Sequence, residues 1–189
     1  MLNANALAAL ATAQTYIGNT DSSFEPLLEL GINTLSDAFD ATVGYRLIEQ
    51  SYTEIVLHGS GTDRLRFPAR NVTACSKLEY RTSKTGWTEL DTDLYEVDTI
   101  AKTGVAGFSG YRFLAGTMNW RASFTAGWQQ DALPGDIAEA FLYDLKRFTE
   151  RRPDLASENL GGQSASGRAY ARLRPETLRT LANYSLTVL

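Results

Sequence analysis

The sequence of residues 120–152, WRASFTAGWQQDALPGDIAEAFLYDLKRFTERR, predicts a strand followed closely by a helix. Trp120, Ala122 and Phe124 alternate with polar residues, which is the two-residue period of a strand with one buried face. Pro134 suits the first turn of a helix, where its missing N–H would have had no partner. The helix is predicted to end in cations just before Pro153, so it spans 134–151.

One side of this predicted central helix carries an apolar stripe. Its members recur at helical spacing, and charged residues occupy many of the positions between them. The stripe consists of Ile137, Phe141, Leu145 and Phe148. We expect it either to form part of the core of the subunit or to contact a neighbouring subunit.

Two further helices are predicted near the N terminus. Residues 6–17 have apolar side chains at helical spacing and are followed by Gly18-Asn19, which is typical of a helix end. Residues 23–43 follow a start signal in which Ser22 and Glu25 have the spacing of a capping box. Because few residues join the two helices, we expect them to form an antiparallel hairpin.

Residues 45–126, between the second helix and the central helix, have the composition and period of β-strands. The predicted strands are 47–57, 64–67, 72–80, 94–97, 111–114 and 118–125. Glycine-rich segments at 59–61 and 104–110 are interpreted as turns. We therefore expect an antiparallel sheet of local hairpins, inserted into a helical core domain that spans 1–153.

The chain after residue 153 has a different composition. Residues 157–167, SENLGGQSASG, are typical of a flexible linker. Pro175 then opens a short predicted helix, and the chain ends in SLTVL. We interpret 154–189 as a flexible C-terminal arm whose apolar end binds a partner; the alternative is that this end folds back on its own domain.

Charge divides the chain in a similar way. Residues 1–145 contain 10 basic and 18 acidic residues, whereas residues 146–189 contain 8 basic and 4 acidic ones. An acidic body repels the phosphates of nucleic acids, and a basic arm suits nucleic acid or an acidic protein surface. A solvated helix end followed by a disordered arm would have the same charge pattern.

No combination of residues predicts an active site, a metal site or a cofactor site. His58, the only histidine, lies in a predicted turn, and Cys75, the only cysteine, has the surroundings of a small core residue. Together they cannot build a zinc site of the usual kinds. The acidic residues of 89–98 lack the glycine and the closing glutamate of a calcium loop. We therefore predict a protein that is not an enzyme.

No membrane segment is predicted either. The apolar run of residues 6–13 is short and has no basic leader, so it fits neither a membrane span nor a signal peptide.

The order of these elements resembles that of the head-to-tail connector proteins of tailed bacteriophages, also called adaptor or head-completion proteins. The similarity is greatest in residues 124–128, FTAGW, and 133–137, LPGDI, with the helix that follows them. Residues 53–61, TEIVLHGSG, are similar to the first hairpin of the family, and 94–97, LYEV, to a later strand. Residues 158–162 and 175–184 are similar to its C-terminal arm.

The resemblance implies an α+β structural protein of the virion, with an N-terminal helical hairpin, an inserted antiparallel sheet, a central amphipathic helix and an extended arm. Such subunits form a ring, typically of twelve copies, beneath the portal. The ring joins capsid to tail and lines part of the channel through which DNA is ejected. The implied partners are further copies of the chain, the portal protein, the next tail-side connector or stopper protein, and double-stranded DNA that passes without sequence-specific binding. Assembly takes place in the host cytoplasm.

We predict that the C-terminal arm binds the portal. The residues expected to take part are Arg168, Tyr170, Arg172, Arg174, Leu178, Arg179, Leu181, Leu186, Val188 and Leu189. The alternative function is an accessory virion protein or a tail-side module whose sheet binds a ligand. Such a module would have a concave aromatic surface made by Trp87, Tyr95, Tyr111 and Trp120.

Overall fold

In the computed structural model, which describes residues 1–150 and 173–186, the predicted joint between strand and helix lies at a boundary between two units. The helical unit comprises Met1–Ile48 and Gln129–Leu189, and the β unit comprises Glu49–Trp128. In the sequence, the β unit lies between the two segments of the helical unit.

The described part of the helical unit contains four α-helices. They are α1 (Leu10–Ile17), α2 (Glu25–Val43), α3 (Gly135–Glu150) and α4 (Pro175–Ala182). The predicted central helix is α3, and its start just after Pro134 follows from the missing N–H of proline. Together with the strands of the β unit, these helices confirm the predicted α+β class.

The first helix is shorter than predicted, because α1 begins at Leu10 rather than at residue 6. Tertiary hydrogen bonds hold the preceding segment in a non-helical path. The Asn5 side chain donates to Asp37 and Asp40, each at 2.9 Å, and the Leu7 N–H donates to Ser36 Oγ at 3.0 Å. These bonds tie Asn5 and Leu7 to α2 and so fix the path of the segment before α1. At the other end α1 stops as predicted, with Gly18 in the left-handed conformation.

The core of the helical unit depends on a close approach of α2 and α3. A Cβ atom placed on Gly31 of α2 would lie 2.8 Å from Leu145 Cδ1 and 2.9 Å from Phe148 Cδ1. Phe39 lies two turns after Gly31 in α2, and Phe141 lies one turn before Leu145 in α3. Their rings meet edge to face, with centroids 5.4 Å apart. Gly31, which interrupts the apolar face of α2 in the sequence, is therefore the residue that lets α3 approach.

The described strands of the β unit number seven, and all of their pairings are antiparallel. In chain order they are β1 (Gln50–Gly59), β2 (Arg64–Arg66), β3 (Val72–Arg81), β4 (Trp87–Glu89), β5 (Tyr95–Val97), β6 (Gly104–Gly107) and β7 (Gly116–Ala126). They form one sheet in the order β1-β7-β3-β4 and a second in the order β2-β6-β5.

The prediction that neighbouring strands form local hairpins is correct only for β3–β4 and β5–β6. The glycine-rich segment 59–61 does not close a hairpin, because β1 pairs with β7 and β2 pairs with β6. β7 lies between β1 and β3 in its sheet, and its inward side is apolar. Trp120, Ala122 and Phe124 are all buried there.

Two predicted assignments around residue 107 are wrong. Residues 104–107 form β6 rather than a turn, and residues 111–114 belong to neither sheet. The glycines of β6 mark close backbone approach, since a Cβ on Gly104 would lie 2.0 Å from Leu65 O and one on Gly107 2.2 Å from Tyr111 O. Residues 111–114 have the alternation of a strand because Phe113 is buried between more exposed neighbours. Its ring packs against Trp120, with centroids 5.3 Å apart.

We expect a size series at Gly31 to measure the approach of α2 and α3. In Gly31→Ala, a gain in helix propensity of about 1 kcal/mol offsets the displacement of the Leu145 and Phe148 side chains. In Gly31→Val, the added methyl groups overfill the contact and lower the free energy of unfolding by about 1–3 kcal/mol. Urea unfolding followed by circular dichroism at 222 nm reports on the helices. A valine variant as stable as the wild type would contradict the tight contact.

Candidate functional site

The apolar stripe of α3 is part of the core of the helical unit. Ile137, Phe141, Leu145 and Phe148 are all buried within the chain itself. Of the two expectations for this stripe, the structure therefore supports the core.

The described end of the predicted arm packs on the helical unit. Helix α4 has two fully buried side chains, Thr177 and Leu181, and it lies against α2 and α3. Residues 173–186 therefore pack on the helical unit, which differs from the flexible arm that the composition predicts. The physical reason is that an amphipathic helix of eight residues needs a surface to bury its apolar side. Of the apolar end for which folding back was the alternative, Leu186 is half-buried, and Val188 and Leu189 lie outside the described residues.

A buried ion pair fixes the N-terminal end of α4. Arg174 Nε lies 2.5 Å from Asp144 Oδ1, and the Thr177 hydroxyl donates to Asp144 Oδ2 at 2.7 Å. The Asp144 side chain is only 4% exposed. The guanidinium of Arg174 also stacks over the Tyr143 ring, with Cζ 3.8 Å from the ring centroid. Both carboxylate oxygens of Asp144 are thus paired by residues of α4.

The segment after α4 is held at three further points. The Tyr184 hydroxyl donates to Asp136 at 2.9 Å, and Tyr184 O accepts from the Tyr45 hydroxyl at 3.0 Å. The Leu186 N–H donates to Val43 O at 3.4 Å, and Leu186 itself is half-buried. Burial and the bond to Asp136 raise the pKa of Tyr184. Residues 174–186 therefore form one continuous contact with the rest of the helical unit. We call the surface that receives them, made by Val43, Tyr45, Asp136 and Asp144, the α4 dock.

The remaining predicted portal-binding residues divide into two groups. Arg168, Tyr170, Arg172, Val188 and Leu189 lie outside the described residues. Leu178 is 45% exposed, and Arg179 is exposed as well. Leu178 follows Arg174 by one helical turn, and Arg174 covers Tyr143, which is 50% exposed. Leu178 and Arg179 are consecutive exposed residues of α4, and we call this pair the outer patch.

Sequence reasoning missed Asp144 and Thr177. Asp144 is one of the charged residues between members of the apolar stripe, yet the spacing of 137, 141, 144 and 148 is four, three and four residues. These positions share one face of a helix. A carboxylate on an apolar face predicts a buried cation partner, and that signal was present in the sequence.

The aromatic surface expected of a ligand-binding module is not formed. Trp120 is fully buried and Tyr95 nearly so, and both belong to the core of the β unit. Trp87 is half-buried beside two guanidinium groups, with Arg121 Cζ 4.9 Å and Arg81 Cζ 5.6 Å from its ring centroid. The prediction failed because side chains of opposite strand parity point to opposite faces of a sheet.

The solvent side of the four-stranded sheet carries a network of charges. Arg121 Nε lies 2.7 Å from Glu79 Oε2, and Lys77 Nζ lies 3.0 Å from Glu79 Oε1. Arg121 also lies 3.3 Å from Glu54. The hydrogen bond from Arg121 holds the pKa of Glu79 below its usual range.

The side chains that could take part in catalysis or metal binding make contacts within the fold. His58 is exposed, and its Nδ1 accepts a hydrogen bond of 3.3 Å from Met118 N. Burial raises the pKa of Cys75 to about 11, so its thiol stays protonated at neutral pH. Within the acidic segment 89–98, Asp98 accepts from the N–H groups of Ile100 and Ala101 and pairs with Arg64 at 3.3 Å.

Neither a candidate metal centre nor a candidate membrane span is present in the part of the chain that the structure describes. Residues 1–150 and 173–186 contain no group of three His, Cys, Asp or Glu placed to hold a metal ion. Among the same residues, no helix combines the length and the apolar character that crossing a bilayer requires.

The fold is that of chains solved in the necks of gene transfer agent particles. One such chain, from the neck of an empty particle with C6 symmetry, has a TM-score of 0.62 at 16% identity, covering 100% of this chain and 97% of that one. A chain from the virion of the native particle has a TM-score of 0.63 at 16% identity, with coverages of 100% and 95%. A chain from the native neck with C12 symmetry has a TM-score of 0.55 at 16% identity, with coverages of 100% and 97%.

At this identity the likeness establishes a shared fold along the whole chain. No protein-family model matches the sequence, and no curated protein matches it.

We expect Arg174→Met to release α4 from the α4 dock. The substitution leaves Asp144 buried without its cation, which costs on the order of 3–5 kcal/mol in comparable buried pairs. Release of an eight-residue helix relieves that cost without unfolding the unit. Hydrogen exchange measured by mass spectrometry should therefore accelerate in peptides covering 175–182 and stay unchanged in α3.

Arg179→Met removes an exposed cation from the same helix and is the matched control. Equal protection of residues 175–182 in the wild type and in Arg174→Met would show that the ion pair does not hold the helix.

We expect Glu79→Gln to change how the stability of the β unit depends on pH. Since the folded-state pKa of Glu79 is lowered, its ionised form stabilises the fold above the usual value of 4.5. That contribution is lost as the pH falls through the folded pKa. The difference in stability between wild type and Glu79→Gln should thus be present at pH 7 and shrink below pH 4.5.

Tryptophan fluorescence during urea unfolding isolates the β unit, because Trp87, Trp120 and Trp128 all belong to it. Glu96→Gln, at an exposed position on β5, is the control. A stability difference that does not vary with pH would contradict the role of the Glu79 charge.

Proposed function

We propose that this protein is a subunit of a ring-shaped head-to-tail adaptor in a phage-like virion, docked beneath the portal. The observation that carries the proposal is the likeness to neck chains along the full length of both molecules, helical unit and β unit included. The residue patterns at 124–128 and 133–137 support the same family independently of that likeness. The protein would act as a structural component rather than as an enzyme.

The proposed assembly is a ring of twelve copies. Solved neck chains with the same fold come from reconstructions with C6 and C12 symmetry, which supports a ring with such symmetry here. The ring would form on the portal in the host cytoplasm and would present its far side to the next tail-side connector or stopper protein. Head-to-tail contacts that close on themselves give rings of this kind.

The charge of the chain suits a channel for DNA. Residues 1–145 carry 18 acidic and 10 basic side chains, so the body of each subunit repels phosphates. Double-stranded DNA would therefore pass through the ring during ejection without being held by ion pairs. No sequence-specific DNA contact is proposed.

The proposed portal contact uses the outer patch together with the predicted arm residues beyond the described segments. Leu181 and Thr177 are excluded because both are buried within the subunit. Leu178 and Arg179 offer an apolar and a cationic group at consecutive exposed positions of α4. Such a surface fits a partner with an apolar spot rimmed by carboxylates.

We expect the double variant Leu178→Asp, Arg179→Glu to remain folded and to lose portal binding, because it replaces both groups by carboxylates. The measurement is negative-stain electron microscopy of the purified protein mixed with portal rings of the same particle. The wild type should decorate portals with a twelve-fold ring, and the double variant should leave them bare.

Ile100→Asp is the control, since Ile100 is an exposed apolar residue of the β unit, 89% accessible. Decoration by the double variant would refute the contact assigned to the outer patch. A wild-type protein that neither forms rings nor binds portals would refute the adaptor function itself.

A further inference from the structure

The α4 dock is independent of the chain that leads to it. Its contacts join Arg174, Thr177 and Tyr184 to residues of α3 and of the segment around Tyr45, which lie 30 to 139 positions away in sequence. On the α4 side, every one of these contacts is made by a side chain or a backbone group that follows residue 173. These contacts therefore need α4 and its flanking residues, and they do not depend on the path of the chain that connects α3 to α4.

The connection is far longer than docking within one subunit needs. Asp144 lies six residues before Glu150, the last described residue of α3, about 9 Å along the helix axis, and Arg174 at the start of α4 touches it. Four or five extended residues would span such a distance. The chain provides 22 residues, 151–172, which reach up to roughly 75 Å when extended. Connections between packed helices usually have two to eight residues.

In a ring, a neighbouring copy presents an equivalent groove within that reach. A folded unit of about 100 residues has a radius of gyration of about 13 Å, so equivalent points on adjacent copies lie on the order of 30 Å apart. The groove of the neighbour offers Asp144, Asp136 and Tyr45 in the same arrangement. The same ion pair and the same burial of Leu181 can form between copies without any new contact.

We propose that, in the assembled ring, α4 of each copy occupies the α4 dock of the adjacent copy. This inference rests on the proposed ring. Exchange in one direction around a closed ring joins every subunit to both neighbours, so a copy can leave only when two docks open. The buried ion pair then acts as a specific joint between subunits, because its carboxylate belongs to one copy and its guanidinium to the next.

The test is cross-linking in mixed rings. Asp136 and Tyr184 meet at the exposed end of the dock, with the Tyr184 hydroxyl 2.9 Å from Asp136. Two variants are made in a Cys75→Ser background, one with Asp136→Cys and one with Tyr184→Cys, and they are mixed in equal amounts before assembly on portals. A short bismaleimide reagent is then added, and the products are separated on a denaturing gel.

Since neither variant holds both thiols, a dimer of one Asp136→Cys chain and one Tyr184→Cys chain forms only when α4 docks between copies. A ring built from chains that carry both substitutions should give a ladder of covalent oligomers. A mixture of Tyr184→Cys with Tyr16→Cys, an exposed position on α1, is the control for incidental proximity and should give no dimer.

Rings that give no mixed dimer, while the doubly substituted chain cross-links only within itself, would overturn the exchange and leave the adaptor function standing. A protein that forms no ring on portals, yet cross-links within the doubly substituted chain, would overturn the adaptor function and the exchange with it.

Discussion

The contact of Gly31 with Leu145 and Phe148 is the constraint on which the helical unit depends. Because Gly31 has no side chain, α3 packs directly against the backbone of α2, and the two helices form a continuous surface. The α4 dock lies on that surface, since Asp144 is one residue from Leu145 and Val43 ends α2. A wider separation of α2 and α3 would move the carboxylate of Asp144 away from the groups that pair with it.

The elements that the sequence predicted well are those specified locally. Helix α3 is amphipathic over its described length, begins after Pro134 and was predicted within about one residue at its start. The C-terminal ends of α1 and α2 follow from Gly18 and Gly44, which both adopt the left-handed conformation that glycine favours. Residues 6–9 could not be predicted in this way, because the hydrogen bonds from Asn5 and Leu7 to α2 decide their path.

The pairing of the strands could not be predicted from local sequence either, because it also depends on residues that are distant in the chain. β1 and β7 are each recognisable from alternation, but their pairing joins Gln50 to Ala126, which are far apart in sequence. Alternation states which residues face the core and does not identify the partner strand. Gly104 illustrates the difficulty, because a glycine needed for close approach to Leu65 has the same sequence signature as a glycine in a turn.

Only part of the candidate site could be predicted from the sequence. The helix was predicted, but the pairing of Asp144 with Arg174 that positions it was not. The amphipathic pattern of 175–182 was visible, but an apolar stripe does not reveal which surface will bury it. Polar residues on both apolar faces carried the missing information. Asp144 lies on the inner face of α3, Thr177 precedes Leu181 by one turn of α4, and Arg174 stands at the start of that helix. A buried carboxylate is stabilised by a paired cation and by a hydrogen bond from a hydroxyl group. Because the short helix offers both groups, it can dock at Asp144 of its own subunit or of an identical one.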